Sequence, residues 1–250
     1  MKMIKIQKQN APRVLIDNQD AWTKNLLKAV ESYGGYSNIP DAEKKSLLSH
    51  YKHKDIQKIL FESSHQKCAF CECKPGESSN IEVEHFEPKS IYPELAFEWN
   101  NLLPSCRKCN EAKLDFDTRV SPIINPTIED PENLLTYFLL RIVPINGTGE
   151  ELKAQNTIDV CNLNCERLYD VRSTLMKTMM EYIDDLKTKF EWIEEADTQQ
   201  KRRYRITKLS NSIDIIDSMI KEDNAYSGFW KWLISQFPEY HKAKRIIAER

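Results

Sequence analysis

A chain of 250 residues with 36 Lys+Arg against 38 Asp+Glu, and a formal net charge of −2, is long enough to bury one or two real cores. It lacks the broad basic footprint of a self-sufficient DNA binder. No run of about 18 apolar residues exists and Met1-Lys2-Met3-Ile4-Lys5 carries no signal-peptide core; with seven cysteines, an odd number, this leads us to expect a cytoplasmic protein without membrane segments or a disulfide framework.

Helical periodicity covers residues 20–33, stopping at Gly34-Gly35, and residues 41–63, where Ile56, Ile59 and Leu60 recur at core spacing. An amino-terminal helical region over 1–61 is expected. His50, His53 and His65 read as surface or packing histidines, although His65, three residues before Cys68, is near enough in sequence to lie behind a metal site.

Cys68/Cys71 and Cys106/Cys109 are two Cys-x-x-Cys knuckles. Each aims two sulfurs at one tetrahedral ion, and together they complete a closed, structural Zn²⁺ site with no open position for substrate. Cys73 offers an alternative sulfur, but the x-x spacing favours Cys71. The segment between the knuckles is longer than the roughly 15–20 residues of an ordinary zinc ribbon, so something else is folded inside the clasp. Ile81-Glu82-Val83-Glu84 alternates as a short strand ending on an acid followed by His85. After Pro88 and Pro93 the chain is predicted to return through a second strand over Phe97–Leu102, and Cys109–Lys113 reads as a helical turn or two.

This order closely resembles the ββα-metal module of HNH endonucleases over about residues 62–117: an acid-His pair, then Asn-Leu-x-x-x-Cys-x-x-Cys, then His or Asn, then Lys three residues on. The resemblance implies that His85 is the general base, Glu84 and Asn110 hold a catalytic Mg²⁺ or Mn²⁺, and Asn101 is the middle Asn that orients the His85 segment. Glu84 stands where the family more often has Asp. Lys113, which the family pattern includes, and the neighbouring Arg107 and Lys108 are expected on phosphates flanking the cut. The fold expected is mainly α, with a small zinc-stapled ββα-metal module at 62–120.

Beyond the module, Pro122, Pro126 and Pro131 punctuate a loop-rich connection over 121–164, in which Ile142–Gly149 suggests a strand running into a turn. Cys161 and Cys165, spaced as on one helical turn, read as packing thiols. Residues 165–250 are expected to be helical: Leu168, Val171, Leu175, Met179, Ile183, Leu186 and Phe190 trace one apolar face, Ile206–Ile220 a second helix, and Trp230–Phe237 a third.

From Cys68 to Asp117 there are 5 basic residues against 10 acidic. The chain also resembles the small HNH subunits of Septu-type anti-phage systems, in the Met-Ile-Lys-Ile start and Pro12, in His65–Glu72, in Glu84–Lys89, and in Leu163-Asn164 with Arg167-Leu168-Tyr169. That likeness implies a DNA nuclease working beside an ATPase partner, docked through 165–250. Two other readings stand: a stand-alone restriction or homing-type HNH endonuclease, and a zinc-stabilised binding module without catalysis.

Overall fold

Pro12, extended at the N-cap, starts helix α1 (Arg13–Ser32) about two turns before the periodic stretch begins. Its polar first turns hide the apolar stripe that Leu15, Leu26 and Ala29 bury. The structure, a computed structural model, describes residues 5–75 and 81–249. The expectations for Met1–Ile4, at the amino terminus, lie outside these. The single helix expected over 41–63 is two, α2 (Asp41–Leu48) and α3 (Lys54–Glu62), joined by a 3₁₀ turn over Ser49–Lys52. The break is at His53, whose backbone is extended and whose Nδ1 accepts from the Asp55 amide at 3.2 Å, capping α3.

Strand β1 (Ile81–His85) pairs antiparallel with β2 (Leu102–Cys106), with His85 opposite Leu102 and Ile81 opposite Cys106. The second strand therefore lies later than predicted. Phe97 is buried in the connecting loop and Trp99–Asn101 is a 3₁₀ turn; pairing begins at Leu102 because the ladder must deliver Cys106 to the end of β1 nearest the first knuckle. Helix α4 (Arg107–Lys113) follows at once. The connection 121–164 is less loose than expected. It carries a hairpin, β3 (Leu135–Phe138) with β4 (Arg141–Pro144), and helix α5 (Glu151–Val160). Four-residue strands show too few alternations to be read from sequence.

Helices α6 (Glu166–Glu194), α7 (Gln199–Met219), α8 (Ser227–Ser235) and α9 (Pro238–Ala248) complete a helical carboxy-terminal half. Cys161 and Cys165 are not on one helix: Cys161 closes α5 and Cys165 is the N-cap of α6. The architecture is mainly helical around two small sheets, with three buried clusters. One joins α1–α3 to Val83, Trp99 and Leu102 of the ββ module; a second joins the knuckles to Ile123, Ile124, Leu135, Ile142 and Ile158; the third lies among α6–α9. Tyr137 and Tyr226 pack against both the second and the third.

Candidate metal clasp and catalytic cleft

The sulfurs of Cys68, Cys71, Cys106 and Cys109 all lie within 4.8 Å of one another and are buried. Cys71 Sγ and Cys106 Sγ are 3.7 Å apart, close to the roughly 3.8 Å edge of a tetrahedron with metal–sulfur bonds of about 2.3 Å, so the donor set fits Zn²⁺. Cys73 is not of this set; its carbonyl accepts from the Cys68 amide at 2.9 Å and closes the knuckle. The knuckle turn places Glu72 in left-handed backbone with φ 59°. Behind the sulfurs, Ser105 Oγ lies 3.8 Å from Cys68 Sγ, and Arg167 of α6 is partly buried beside Cys71 and Cys106, whose influence outweighs burial and raises the guanidinium's pKa. His65 is exposed and lines a separate polar cleft with Lys5 and Glu62.

A cleft of about 210 Å³ opens where β1 meets α4, lined by Glu84, His85, Lys89, Asn110, Leu114 and Asp115. His85 is 2% exposed, and its Nε2 lies 2.9 Å from the Ala96 carbonyl oxygen. Burial, aided by Lys89, Lys113 and Lys52, pushes its pKa down to about 3, so the ring is neutral. A carbonyl only accepts; Nε2 therefore carries the hydrogen and Nδ1 is the free acceptor. The ring of Tyr51, in the turn between α2 and α3, packs perpendicular to the imidazole with centroids 4.6 Å apart.

Asn101 touches the His85 segment through the backbone and not through the ring. Its Oδ1 accepts from the Glu87 amide at 2.7 Å, and its Nδ2 donates to the carbonyls of Glu87 and Leu95 at 3.0 and 3.1 Å. It ties the chain just after His85 to the chain just before Ala96, the two strands of backbone that hold the imidazole.

Lys113 departs from the role expected of it. It is 2% exposed, with its ammonium 2.7 Å from Glu84 Oε1 and 2.8 Å from the His85 carbonyl, so it is not available to substrate phosphate. A cation at this position neutralises Glu84, whose carboxyl pKa burial raises. Arg107 and Lys108 are exposed and paired with Glu111 on the surface of α4. Asn110 Nδ2 donates to Glu82 Oε2 at 2.6 Å, which turns the amide so that Oδ1 remains as an acceptor. One carboxylate and one amide oxygen at an open cleft suit a hard, hydrated ion such as Mg²⁺.

Residues 68–116 match the family model described as HNH endonuclease. The chain carries an HNH domain. It is also similar to two proteins named Septu protein PtuB. One, from Bacillus thuringiensis, is 35% identical over 186 residues, 74% of this chain and 64% of that relative, so the match spans less than two thirds of the relative's length. The other, from Bacillus mycoides strain KBAB4, is 23% identical over 273 residues, 94% of this chain and 89% of the relative. Around His85, the sequence alone did not single out Tyr51, Lys89 or the Ala96 carbonyl. Lys89 was within reach, in the Glu84–Lys89 run; Tyr51 and Ala96 carry no local signal because only tertiary packing brings them to His85. Among the described residues no helix is long and apolar enough to cross a membrane.

Proposed function

We propose that this HNH domain is a metal-dependent endonuclease that hydrolyses DNA phosphodiester bonds, acting as the nuclease subunit of a Septu-type anti-phage complex with an ATPase. The observation that carries the reading is the neutral His85, buried at the wall of the cleft with Nε2 on the Ala96 carbonyl and Nδ1 free. His85 Nδ1 takes a proton from water as the water oxygen bonds to phosphorus and the bond to the leaving 3′ oxygen breaks; that oxygen is protonated from solvent. Arriving phosphate raises the imidazole's basicity by opposing the surrounding lysines. Asn101 holds the backbone on either side of the ring, and Lys113 keeps Glu84 in place. Glu84 and Asn110 would hold a divalent cation, which would supply charge neutralisation to the reaction.

Cys68, Cys71, Cys106 and Cys109 would hold Zn²⁺ in the clasp, which would tie β2, α4 and the first knuckle together. His85→Ala is expected to abolish nicking of plasmid DNA, by the chain alone or with its partner, while zinc content stays at the wild-type value and the chain remains folded with a lower thermal midpoint. Near-normal cleavage by the variant, or cleavage that survives EDTA, refutes the assignment. The stand-alone and non-catalytic readings are separated by purifying the chain from its host: an ATPase that co-purifies supports the subunit, and cleavage without any partner supports the stand-alone enzyme.

A further inference from the structure

With Lys113 held inside the protein, the cleft needs another cation for its phosphate. Two ammonium groups share the ring of Tyr51: Lys89 Nζ lies 5.7 Å and Lys52 Nζ 5.6 Å from its centroid. The same ring packs perpendicular to the imidazole of His85. Neither lysine makes a hydrogen bond or ion pair with any described residue, whereas Lys8, Lys67, Lys108 and Lys113 all have oxygen partners. Lys89 is half-buried at the cleft wall with Glu84 and Asn110, and Lys52 is exposed on the turn that carries Tyr51. Two like charges near one ring repel each other, as the lowering of the Lys89 pKa by burial and then by Lys113 and Lys52 shows, and a bound anion near both relieves that repulsion.

We propose that Lys52, Tyr51 and Lys89 form a phosphate subsite beside His85, in which Lys89 contacts the scissile phosphate and Lys52 the next phosphate of the same strand. This rests on the nuclease reading above. It makes Lys89 a catalytic residue and gives the α2–α3 turn, outside the HNH match, a direct part in substrate binding.

The test uses the full-length chain and a short fluorescein-labelled DNA duplex. Binding is measured in EDTA on a His85→Ala background over a salt series, and cleavage on the otherwise wild-type chain with Mg²⁺. Each lost phosphate contact lowers the slope of log K against log salt by about 0.9, so Lys89→Gln and Lys52→Gln are each expected to reduce it by about that amount. The exposed Lys177→Gln on α6 is expected to leave it unchanged. In cleavage, Lys89→Gln is expected to lower kcat about 10- to 100-fold, as for a charged contact to the reacting group. Lys52→Gln is expected to raise KM about 3- to 10-fold with kcat kept, as for uniform binding. Lys89→Arg, which keeps the charge, restores the slope. Zinc content is measured for every variant to show that the clasp is intact. Unchanged slopes for both glutamine variants, equal losses in Lys177→Gln, or no measurable duplex binding even at low salt overturn the subsite. A chain that binds with these slopes but cleaves neither alone nor with the ATPase that co-purifies with it overturns the nuclease reading and leaves the subsite standing.

Discussion

His85 and Lys113 show what burial does to two ionisable side chains a few ångströms apart. Because the imidazole is held neutral, its base form persists far below the ordinary histidine range. The kcat/KM profile reports groups of the free enzyme and is expected to stay flat from pH 8 to 5, since the His85 acid limb lies near 3. The profile of kcat reports the substrate complex, where bound phosphate offsets Lys89, Lys113 and Lys52, and its acid limb is expected at higher pH. An inflection of kcat/KM near 6.5, following the variant-sensitive step, contradicts this. Lys113→Met strands a buried carboxylate, and breaking such a pair typically costs about 3–5 kcal/mol. The expected outcome is a large fall in the urea midpoint, partly restored by adding Glu84→Gln. A fully stable Lys113→Met that loses only DNA affinity restores the phosphate role. The sequence made His85, Glu84, Asn101 and Asn110 visible because they sit at fixed spacings. It did not show that Lys113 is consumed by Glu84, because that depends on how α4 lies across β1.

At the level of elements, the end of α4 is built against local preference. Leu114 has φ 46° and ψ −128°, and the Phe116 amide donates to the Lys113 carbonyl at 3.0 Å, so Leu114 occupies the first central position of a type II′ turn. That position is one glycine fills without strain, and a side chain there costs on the order of 1–3 kcal/mol. Leu114 is also 69% exposed, so burial returns little. Leu114→Gly is expected to raise stability by about 1 kcal/mol, read as a higher urea midpoint with an unchanged m-value. A lower midpoint shows that the leucine is stabilising. Elements with long periods were legible, as α6 and α7 show. Helix α9 was not, because Phe237-Pro238 reads as the end of the aromatic stretch when it is in fact a fresh start with proline in the first turn.

Across the whole molecule, the acidic tally of the HNH domain overstates repulsion of DNA. Glu72 pairs with Lys67 and Glu87 with Arg119, cations just outside the counted stretch, while Glu84 and Glu111 pair with cations inside it and Glu82 and Asp117 are tied to the neutral Asn110 and Tyr92. What charge counting missed is that much of this acidity serves the fold. The same bonds tie the halves together. Glu72 accepts from the Gly228 amide through Oε2 at 3.0 Å and from the Tyr226 amide through its carbonyl at 3.1 Å, capping α8, while Lys67 Nζ reaches Ser227 Oγ at 2.9 Å. Removing Zn²⁺ with a chelator, or by Cys106→Ser, is therefore expected to loosen α8 along with the HNH domain. Limited proteolysis checks it: cuts near residues 220–228 should appear as zinc is lost. Cuts confined to residues 62–120 separate the two halves. Deleting 165–250 is a poor probe of partner docking, since it also removes Arg167 from Cys71 and Leu168 from the core around the knuckles.

The cap on α8 joins residues 155 positions apart, Glu72 and Ser227. At about 5–20 residues per second, a ribosome needs roughly 8–30 s to make the intervening chain. All four cysteines leave the ribosome well before α8 does, so the knuckles have an interval of seconds in which to load zinc before Arg167 and α8 close over them. Metal capture is then expected during synthesis, and exchange in the finished protein should be slow unless the carboxy-terminal half lifts away. A pulse of isotopically distinct zinc would then label chains made during the pulse and spare those completed before it.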